Sequence, residues 1–106
     1  MDRLEKDALE TEVLAQDADS ALIAVRGELD IATVRQLEST VDLILAARPK
    51  RLVLECAELS FADSSAIALW LRWADAVEEL ELRNPSHLLR RLVATMGLAE
   101  RLRLTP

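Results

Sequence analysis

Residues 21–55, ALIAVRGELDIATVRQLESTVDLILAARPKRLVLE, form the stretch that decides the fold. It opens on a short apolar and β-branched run, Ala21 to Val25, and closes on a second apolar run, Leu52 to Leu54, with a charged residue on each side. Runs of this kind predict buried strands. Between them, apolar residues recur every three or four positions from Val34 to Leu45, which predicts an amphipathic helix. This order predicts a crossover that makes the two strands parallel, because a hairpin would need only a short turn.

The segments that flank this stretch continue the pattern. Asp30 stands at the N-cap position expected for the helix, and Pro49 interrupts the helical register just after its end. Upstream, residues 12–15 predict a strand, and the polar residues 16–20 predict a turn that leads into the run beginning at Ala21. We therefore expect an antiparallel hairpin at the start of the domain.

Four further elements are predicted downstream. They are a helix from Asp63 to Ala74 that ends near Asp75, a strand from Glu79 to Leu82, a helix capped by Asn84-Pro85-Ser86 that ends at Gly97, and an edge strand with Leu102 and Leu104. The sequence thus predicts a single α/β domain over residues 1–106, with a core of about 11–104 and a mobile stretch in 1–10. We expect a mixed sheet of about four to five strands and about three to four helices, mainly on one face.

Composition and charge narrow the function. The chain has 106 residues, of which 51% are hydrophobic and 30% charged, as in a folded domain with one core. No secretory signal and no membrane-spanning run is recognised, so we expect a cytoplasmic protein without direct membrane insertion. The net charge is −6, with −10 in residues 1–82 and +4 in residues 83–106. This charge argues against nucleic acid and favours a protein partner with basic contacts, although it could also serve only solubility.

The residues that usually build catalytic or metal centres are scarce. Cys56 is the only cysteine and follows an apolar run, so we interpret it as a buried small side chain. His87 is the only histidine and lies in a basic helical segment. Neither residue supports a metal cluster or an acid–base pair, and we expect no cofactor and no enzymatic activity.

Two loops follow the predicted parallel strands at their carboxyl ends. They are residues 27–30, Gly-Glu-Leu-Asp, and residues 58–65, which end on Asp63-Ser64-Ser65. Such loops converge at one edge of an α/β sheet, where partners commonly bind. A phosphate on Ser64 would meet free backbone N–H groups at the helix start, and its charge would change the surface beside Asp63. The turn therefore predicts a binding switch, but ordinary helix capping would explain the same three residues.

The helix that follows this turn is apolar on more than one side. Leu69 and Trp73 lie well round from the face that is formed by Ile67, Trp70, Leu71 and Ala74. Because both faces cannot pack on one sheet, we expect Leu69 and Trp73 to be partly exposed as a partner-binding patch. The alternative is that the third helix covers them.

Four short motifs occur in a recognisable order along residues 11–104. They are Gly-Glu-Leu-Asp at 27–30, Leu-Ser-Phe-Ala-Asp-Ser-Ser-Ala at 59–66, Asn-Pro-Ser at 84–86 and Met-Gly-Leu at 96–98. In this order they resemble the STAS domain family, and in particular its anti-sigma factor antagonists. The resemblance implies a mixed sheet backed by helices on one face.

The resemblance also implies a partner-switching cycle. In that cycle an anti-sigma factor with an ATPase-like serine kinase fold phosphorylates the serine after the aspartate, which is Ser64 here. The unphosphorylated protein binds the anti-sigma factor, and the phosphorylated protein releases it. Asp30 and Asp63 match the positions that flank this serine in the family, and with Glu28 and Ser65 they complete the expected partner-binding surface.

Two positions depart from the family pattern. Ala66 and Ala68 stand where glycines are usual, and each adds a methyl group where a kinase backbone would approach, so Ser64 is expected to be a poorer substrate. A second hypothesis therefore stays open: a structural STAS subunit of a membrane transporter complex, such as a lipid transporter accessory, that needs no phosphorylation. The oligomeric state is left open as well.

Overall fold

The computed structural model describes residues 8–106. Its elements follow one another as β1 (Leu9–Gln16), β2 (Ser20–Leu29), α1 (Val34–Leu45), β3 (Arg51–Glu55), β4 (Leu59–Ala62), α2 (Ser64–Ala76), β5 (Glu79–Arg83), α3 (His87–Thr95) and β6 (Arg103–Thr105). The predicted alternation of strands and helices is confirmed. None of the helices in this part of the chain is long and apolar enough to cross a membrane.

The strands form one mixed sheet in the order β1-β2-β3-β5-β6, with β4 paired to the far end of β2. The opening hairpin is antiparallel, as predicted, and pairs Val13 with Ile23. The crossover through α1 makes β2 and β3 parallel, and β5 and β6 continue the parallel part. Within residues 8–106 the sheet has six strands, one more than the upper end of the expected range, because the local sequence pattern predicts a loop where β4 lies.

Strand β4 has only four residues and depends on a distant partner. It lies parallel to the last residues of β2, with Glu28 opposite Phe61 and Leu29 opposite Ala62. The Ser60 hydroxyl fixes this pairing by donating to the Gly27 carbonyl at 2.9 Å. The same pairing extends β2 through Gly27 to Leu29, where the sequence predicted that the strand would end at Gly27.

The core begins earlier in the chain than expected. Strand β1 starts at Leu9, whose side chain is only 2% exposed and belongs to the main hydrophobic cluster. Its carbonyl accepts a hydrogen bond from the Gln36 amide of α1 at 2.9 Å. Residues 1–7, in which a mobile stretch was expected, lie outside the described residues.

One face of the sheet and all three helices share a single core. Alternate residues of the central strands, such as Leu52 and Leu54 of β3, are fully buried in the same cluster as residues of the helices. The buried helical residues are Leu37, Val41 and Ile44 of α1, Ala66, Ile67, Leu69, Trp70 and Trp73 of α2, and Leu89 and Val93 of α3. The packing of helices on one face is therefore confirmed.

The expected exposure of Leu69 and Trp73 is wrong. Leu69 is 7% exposed and Trp73 is 0% exposed. The buried residues of α2 span about 160° of the helical wheel, and this arc is rotated by about 70° from the predicted face. The predicted face would be the buried one if α2 packed only on the sheet.

Helix α2 is in fact covered on both flanks, which explains its wide buried arc. On one flank Arg72 reaches Glu38 of α1 at 2.6 Å. On the other flank Arg101, in the segment after α3, reaches Asp75 at 2.6 Å. Both ion pairs are exposed and contribute little to stability themselves, but they show which segments lie alongside α2.

Gly27 is a position that only glycine fits. Its φ angle is +105°, and a Cβ atom there would overlap the Ala8 carbonyl oxygen. We expect Gly27→Ala to lower the free energy of unfolding by about 2 to 3 kcal/mol, because it adds both backbone strain and a steric clash.

A matched control is available at Gly97, which also has a positive φ angle, +71°, but nothing within 4 Å of the added Cβ. Gly97→Ala should therefore cost only the backbone strain, about 1 kcal/mol. Urea unfolding followed by tryptophan fluorescence measures both losses. Equal losses for the two variants would contradict a clash at Gly27.

Candidate functional site

The two segments predicted to meet at the carboxyl edge of the sheet do so. The Asp63 N–H donates to the Leu29 carbonyl at 3.2 Å, and β2 and β4 are paired up to these residues. The loop after β2 and the turn after β4 are therefore neighbours, as expected. They form the candidate site, whose predicted residues are Glu28, Asp30, Asp63, Ser64 and Ser65.

Asp63 is the N-cap of α2, and its side chain binds the start of the helix. Its carboxylate accepts from the Ser65 N–H at 2.9 Å and from the Ser65 hydroxyl. These bonds, with smaller contributions from the backbone N–H groups of Ala66 and Ile31, hold the pKa of Asp63 below its ordinary value. The influence of Ile31 on this pKa shows that Asp63 faces the loop after β2, to which Ile31 belongs.

Removal of the Asp63 carboxylate should weaken the fold in a pH-dependent way. We expect Asp63→Ala to lower the free energy of unfolding by about 1 kcal/mol at pH 7, because the start of α2 loses its cap. A lowered pKa means that the contribution of the charge is complete above 3.8, the ordinary value, and is lost as the pH falls through the lower value of the folded state. The difference from wild type should therefore shrink on acidification below about pH 4.

Urea unfolding at neutral and acidic pH tests this expectation. Asp63→Asn is the matched control, since asparagine caps helices about as well as aspartate and carries no charge. The control should keep the capping bond without the charge, so its stability should lie between those of wild type and Asp63→Ala at pH 7 and should not show the acid-dependent loss of the wild type. A loss in Asp63→Ala that is the same at pH 7 and in acid would contradict the role given to the charge.

The two serines of the turn differ in their environment. Ser64 is the first residue of α2 and is exposed, and its hydroxyl makes no hydrogen bond to another described residue. Ser65 is half-buried, and its hydroxyl donates to Asp63. Among residues 8–106, no group binds the Ser64 hydroxyl, which is open to a partner, whereas the Ser65 hydroxyl is held by Asp63.

Asp30 is engaged within its own loop and does not cap α1 as the sequence suggested. Helix α1 begins at Val34, after Thr33, which makes no side-chain capping bond. The Asp30 carboxylate instead accepts from the N–H groups of Ala32 and Thr33, at 2.9 and 3.2 Å. The Thr33 hydroxyl in turn donates to the Glu28 carbonyl at 2.7 Å, so the loop after β2 is held in one conformation. The helix starts later because these bonds close a separate turn first.

Two apolar side chains at this edge were not predicted as site residues. Ile31, next to Asp30, is 76% exposed, and Phe61, two residues before Asp63, is 45% exposed. Phe61 is the only phenylalanine of the chain, and it stands in a four-residue strand, where a buried position would have been the ordinary expectation. Each of these two apolar residues stands close in sequence to acidic residues of a predicted loop. This pattern could have identified them as exposed site residues.

The other residues considered in the sequence are not part of this candidate site. Leu69 and Trp73 are buried and take no part in the surface. Cys56 is 1% exposed, as interpreted from the sequence, and burial raises the pKa of its thiol to about 12. His87 is exposed at the start of α3.

The sequence matches the model of a known protein family. The family model described as "Mlab, STAS domain" matches residues 13–106. No curated protein sequence matches the chain significantly.

Among solved structures, an anti-sigma factor antagonist from Mycobacterium paratuberculosis superimposes with a TM-score of 0.84 at 22% identity, over 95% of this chain and 88% of the other. The unphosphorylated anti-sigma factor antagonist SpoIIAA gives a TM-score of 0.74 at 24% identity, over 93% and 89% of the two chains. SpoIIAA of Bacillus in its phosphorylated form gives 0.68 at 24% identity, over 93% and 92%. These likenesses concern the fold. With the family model spanning nearly all of the sheet and every helix, the chain belongs to the STAS domain family.

Proposed function

We propose that this protein is an anti-sigma factor antagonist that acts in the cytoplasm. In this proposal it has no catalytic activity of its own and binds an anti-sigma factor with an ATPase-like serine kinase fold. Phosphorylation of Ser64 dissociates the complex with the anti-sigma factor. The observation that carries the proposal is the exposed Ser64 residue at the start of α2, whose hydroxyl makes no hydrogen bond to any residue from 8 to 106, beside a Ser65 hydroxyl that is held by Asp63.

The chemistry of the site suits a switch that works by charge. A phosphate on Ser64 would lie at the positive end of the α2 dipole, where added negative charge is favoured. It would bring about −1.5 to −2 charge to an edge that already presents Asp63, Asp30 and Glu28. The helix start therefore tolerates the modification, while the surface that a partner contacts changes strongly. Both properties are needed if the protein is to stay folded and yet release its partner.

The comparisons support the proposal at the level of the protein class. Each of the three similar structures described above is, or is a form of, an anti-sigma factor antagonist, and one of them is in a phosphorylated form. The site residue Ser64, the kinase and the direction of the switch belong to the proposal.

The two alanines that replace family glycines have different surroundings. Ala66 is fully buried, so its methyl group lies in the core and away from a partner. Ala68 is exposed and lies one helical turn after Ser64, on the same side of α2. Only Ala68 adds bulk to the surface that a kinase would meet.

Ala68→Gly is therefore expected to raise the rate of Ser64 phosphorylation several-fold, although glycine should lower the stability of the helix by about 1 kcal/mol. The rate of phosphate incorporation from ATP by the cognate kinase is the measurement. Ala76→Gly, at an exposed position at the other end of α2, is the control and should leave the rate unchanged. Equal rates for wild type and Ala68→Gly would contradict a steric role of this methyl group.

Incubation with the cognate anti-sigma factor and ATP tests the proposed function directly. Intact-mass analysis should show one added phosphate in the wild type and in Ser65→Ala, and none in Ser64→Ala. Binding of the anti-sigma factor should be lost in the phosphorylated protein. No phosphate, or phosphate at another residue, would overturn the role of Ser64, and absence of binding would overturn the proposed function as a whole.

The second candidate is a structural STAS subunit of a membrane transporter complex. The exposed Ala68 favours it, since a permanent partner needs no kinase to approach Ser64. Co-purification from the source organism separates the two candidates. A stable transporter ATPase in the complex supports the second, and a soluble anti-sigma factor supports the first.

A further inference from the structure

A shallow apolar groove lies between β4 and α3, next to the candidate site. Its lining includes Phe61 and Leu88, with Ser86 and Leu92 between them, and we call it the Phe61–Leu88 groove. Leu88 is 67% exposed and Phe61 is 45% exposed. A second depression, lined by Leu88, Leu92, Arg91 and Thr95, lies beside the groove along α3. Leu88 therefore borders two neighbouring depressions, and side chains of a partner can pack around it.

The groove is continuous with the Ser64 surface. Phe61 lies in the strand that leads directly into Asp63 and Ser64, and it stands opposite Glu28 in the pairing of β2 and β4. A protein that covers the Ser64 hydroxyl must therefore approach Phe61 as well. Burial of Phe61 by that protein would remove from water an aromatic side chain that the fold itself leaves half open.

Charge is distributed unevenly along this combined surface. Glu28, Asp30 and Asp63 make the end near Ser64 acidic. At the other end Arg91 is exposed and forms no ion pair with any residue from 8 to 106. A partner segment that lies along both ends fits best if it carries basic residues opposite Glu28 and Asp30, apolar residues over the groove and an acidic residue near Arg91.

We propose that the Phe61–Leu88 groove is a second contact site for the same anti-sigma factor that contacts Ser64, and that it receives an amphipathic segment of that protein with this order of charges. The inference rests on the proposed function and adds to it the surface that supplies apolar binding energy. The Ser64 end then acts as the charge-sensitive part of the interface, and the groove as the constant part.

Affinity measurements with the purified anti-sigma factor test the groove. We expect Leu88→Ser and Phe61→Ser each to weaken binding about tenfold or more, as is usual for central apolar contacts. Leu43→Ser is the matched control, since Leu43 lies on α1 and is 80% exposed, and it should leave the affinity unchanged. Because Leu88 is mostly exposed, Leu88→Ser should keep the wild-type unfolding temperature. Wild-type affinity in both groove variants would overturn the inference.

Photo-crosslinking in the source organism separates a failure of this inference from a failure of the proposed function. Benzoylphenylalanine is placed at position 88, at position 31 in the loop beside Asp63, or at position 43 as control. Ile31 is 76% exposed. We expect the probes at 88 and 31 to capture one and the same anti-sigma factor, and the probe at 43 to capture none. If the probe at 31 captures an anti-sigma factor while the probe at 88 captures nothing, a second copy of this chain or another protein, the inference is wrong and the proposed function stands. If neither captures an anti-sigma factor, both are wrong.

Discussion

Trp73→Ala is expected to lower the free energy of unfolding by about 3 to 5 kcal/mol, which is the usual cost of removing a large aromatic side chain from a core. The Trp73 side chain is fully buried in the C-terminal part of α2 and belongs to the main hydrophobic cluster. Total stabilities of domains are about 5 to 15 kcal/mol, so the variant should unfold at much lower urea concentration or fail to fold at 37 °C. Urea unfolding followed by far-ultraviolet circular dichroism measures the loss.

Two controls make this result interpretable. The indole N–H of Trp73 is buried without an acceptor among residues 8–106, so Trp73→Phe gives up no protein hydrogen bond and should lose much less stability than the alanine variant. Leu43→Ala, at an exposed position of α1, should stay within about 0.5 kcal/mol of wild type. Wild-type stability in Trp73→Ala would contradict the burial and revive the exposed patch suggested by the sequence.

The parts of the fold that were predicted correctly are those whose burial shows in the local pattern. Strand β3 begins at Arg51 and ends at Glu55, as the apolar run with charged ends indicated. Helix α2 ends at Ala76, one residue beyond the predicted end near Asp75. In both cases the residues that decide the boundary are neighbours in the sequence. The bounds of the strand or helix can therefore be predicted from its own residues.

The parts that were missed depend on contacts between distant residues. Strand β4 exists because it pairs with the end of β2, and its four residues alone have no clear strand pattern. Glu81 is another example: it is 3% exposed although charged, because Arg51, Arg83 and Thr105 from three different strands surround its carboxylate. The rotation of the buried face of α2 is a third example, since it depends on contacts with α1 and with the segment that contains Arg101.

In the candidate site, too, some features follow from the local sequence and others depend on contacts between distant residues. Its position could be predicted, since Asp63 is a recognisable helix cap and the ends of parallel strands meet at one edge. The difference between Ser64 and Ser65 could not be predicted, because either hydroxyl can reach an aspartate in a turn. The exposure of Phe61 depends on where α3 packs, and that position follows from the complete sheet.

Ser64→Glu is expected to weaken binding of the anti-sigma factor about 100-fold, because the complex would bury an added charge at a contact that fits an uncharged hydroxyl, and a buried charge without a partner costs about 2 to 5 kcal/mol. The variant should fold normally. Ser64 is the first residue of α2, and glutamate at this position interacts favourably with the helix dipole. Calorimetric titration with the purified anti-sigma factor measures the affinity, and urea unfolding checks the fold.

Ser64→Gln separates charge from size, since glutamine has nearly the shape of glutamate and no charge. If the switch works by charge, Ser64→Gln should bind at least tenfold more tightly than Ser64→Glu, because the interface then buries no unpaired charge. Ser65→Ala should keep its affinity, since the Ser65 hydroxyl is turned toward Asp63. Equal weakening by glutamate and glutamine would mean that bulk at position 64 breaks the interface, and the acidic edge of Glu28, Asp30 and Asp63 would then have no part in release.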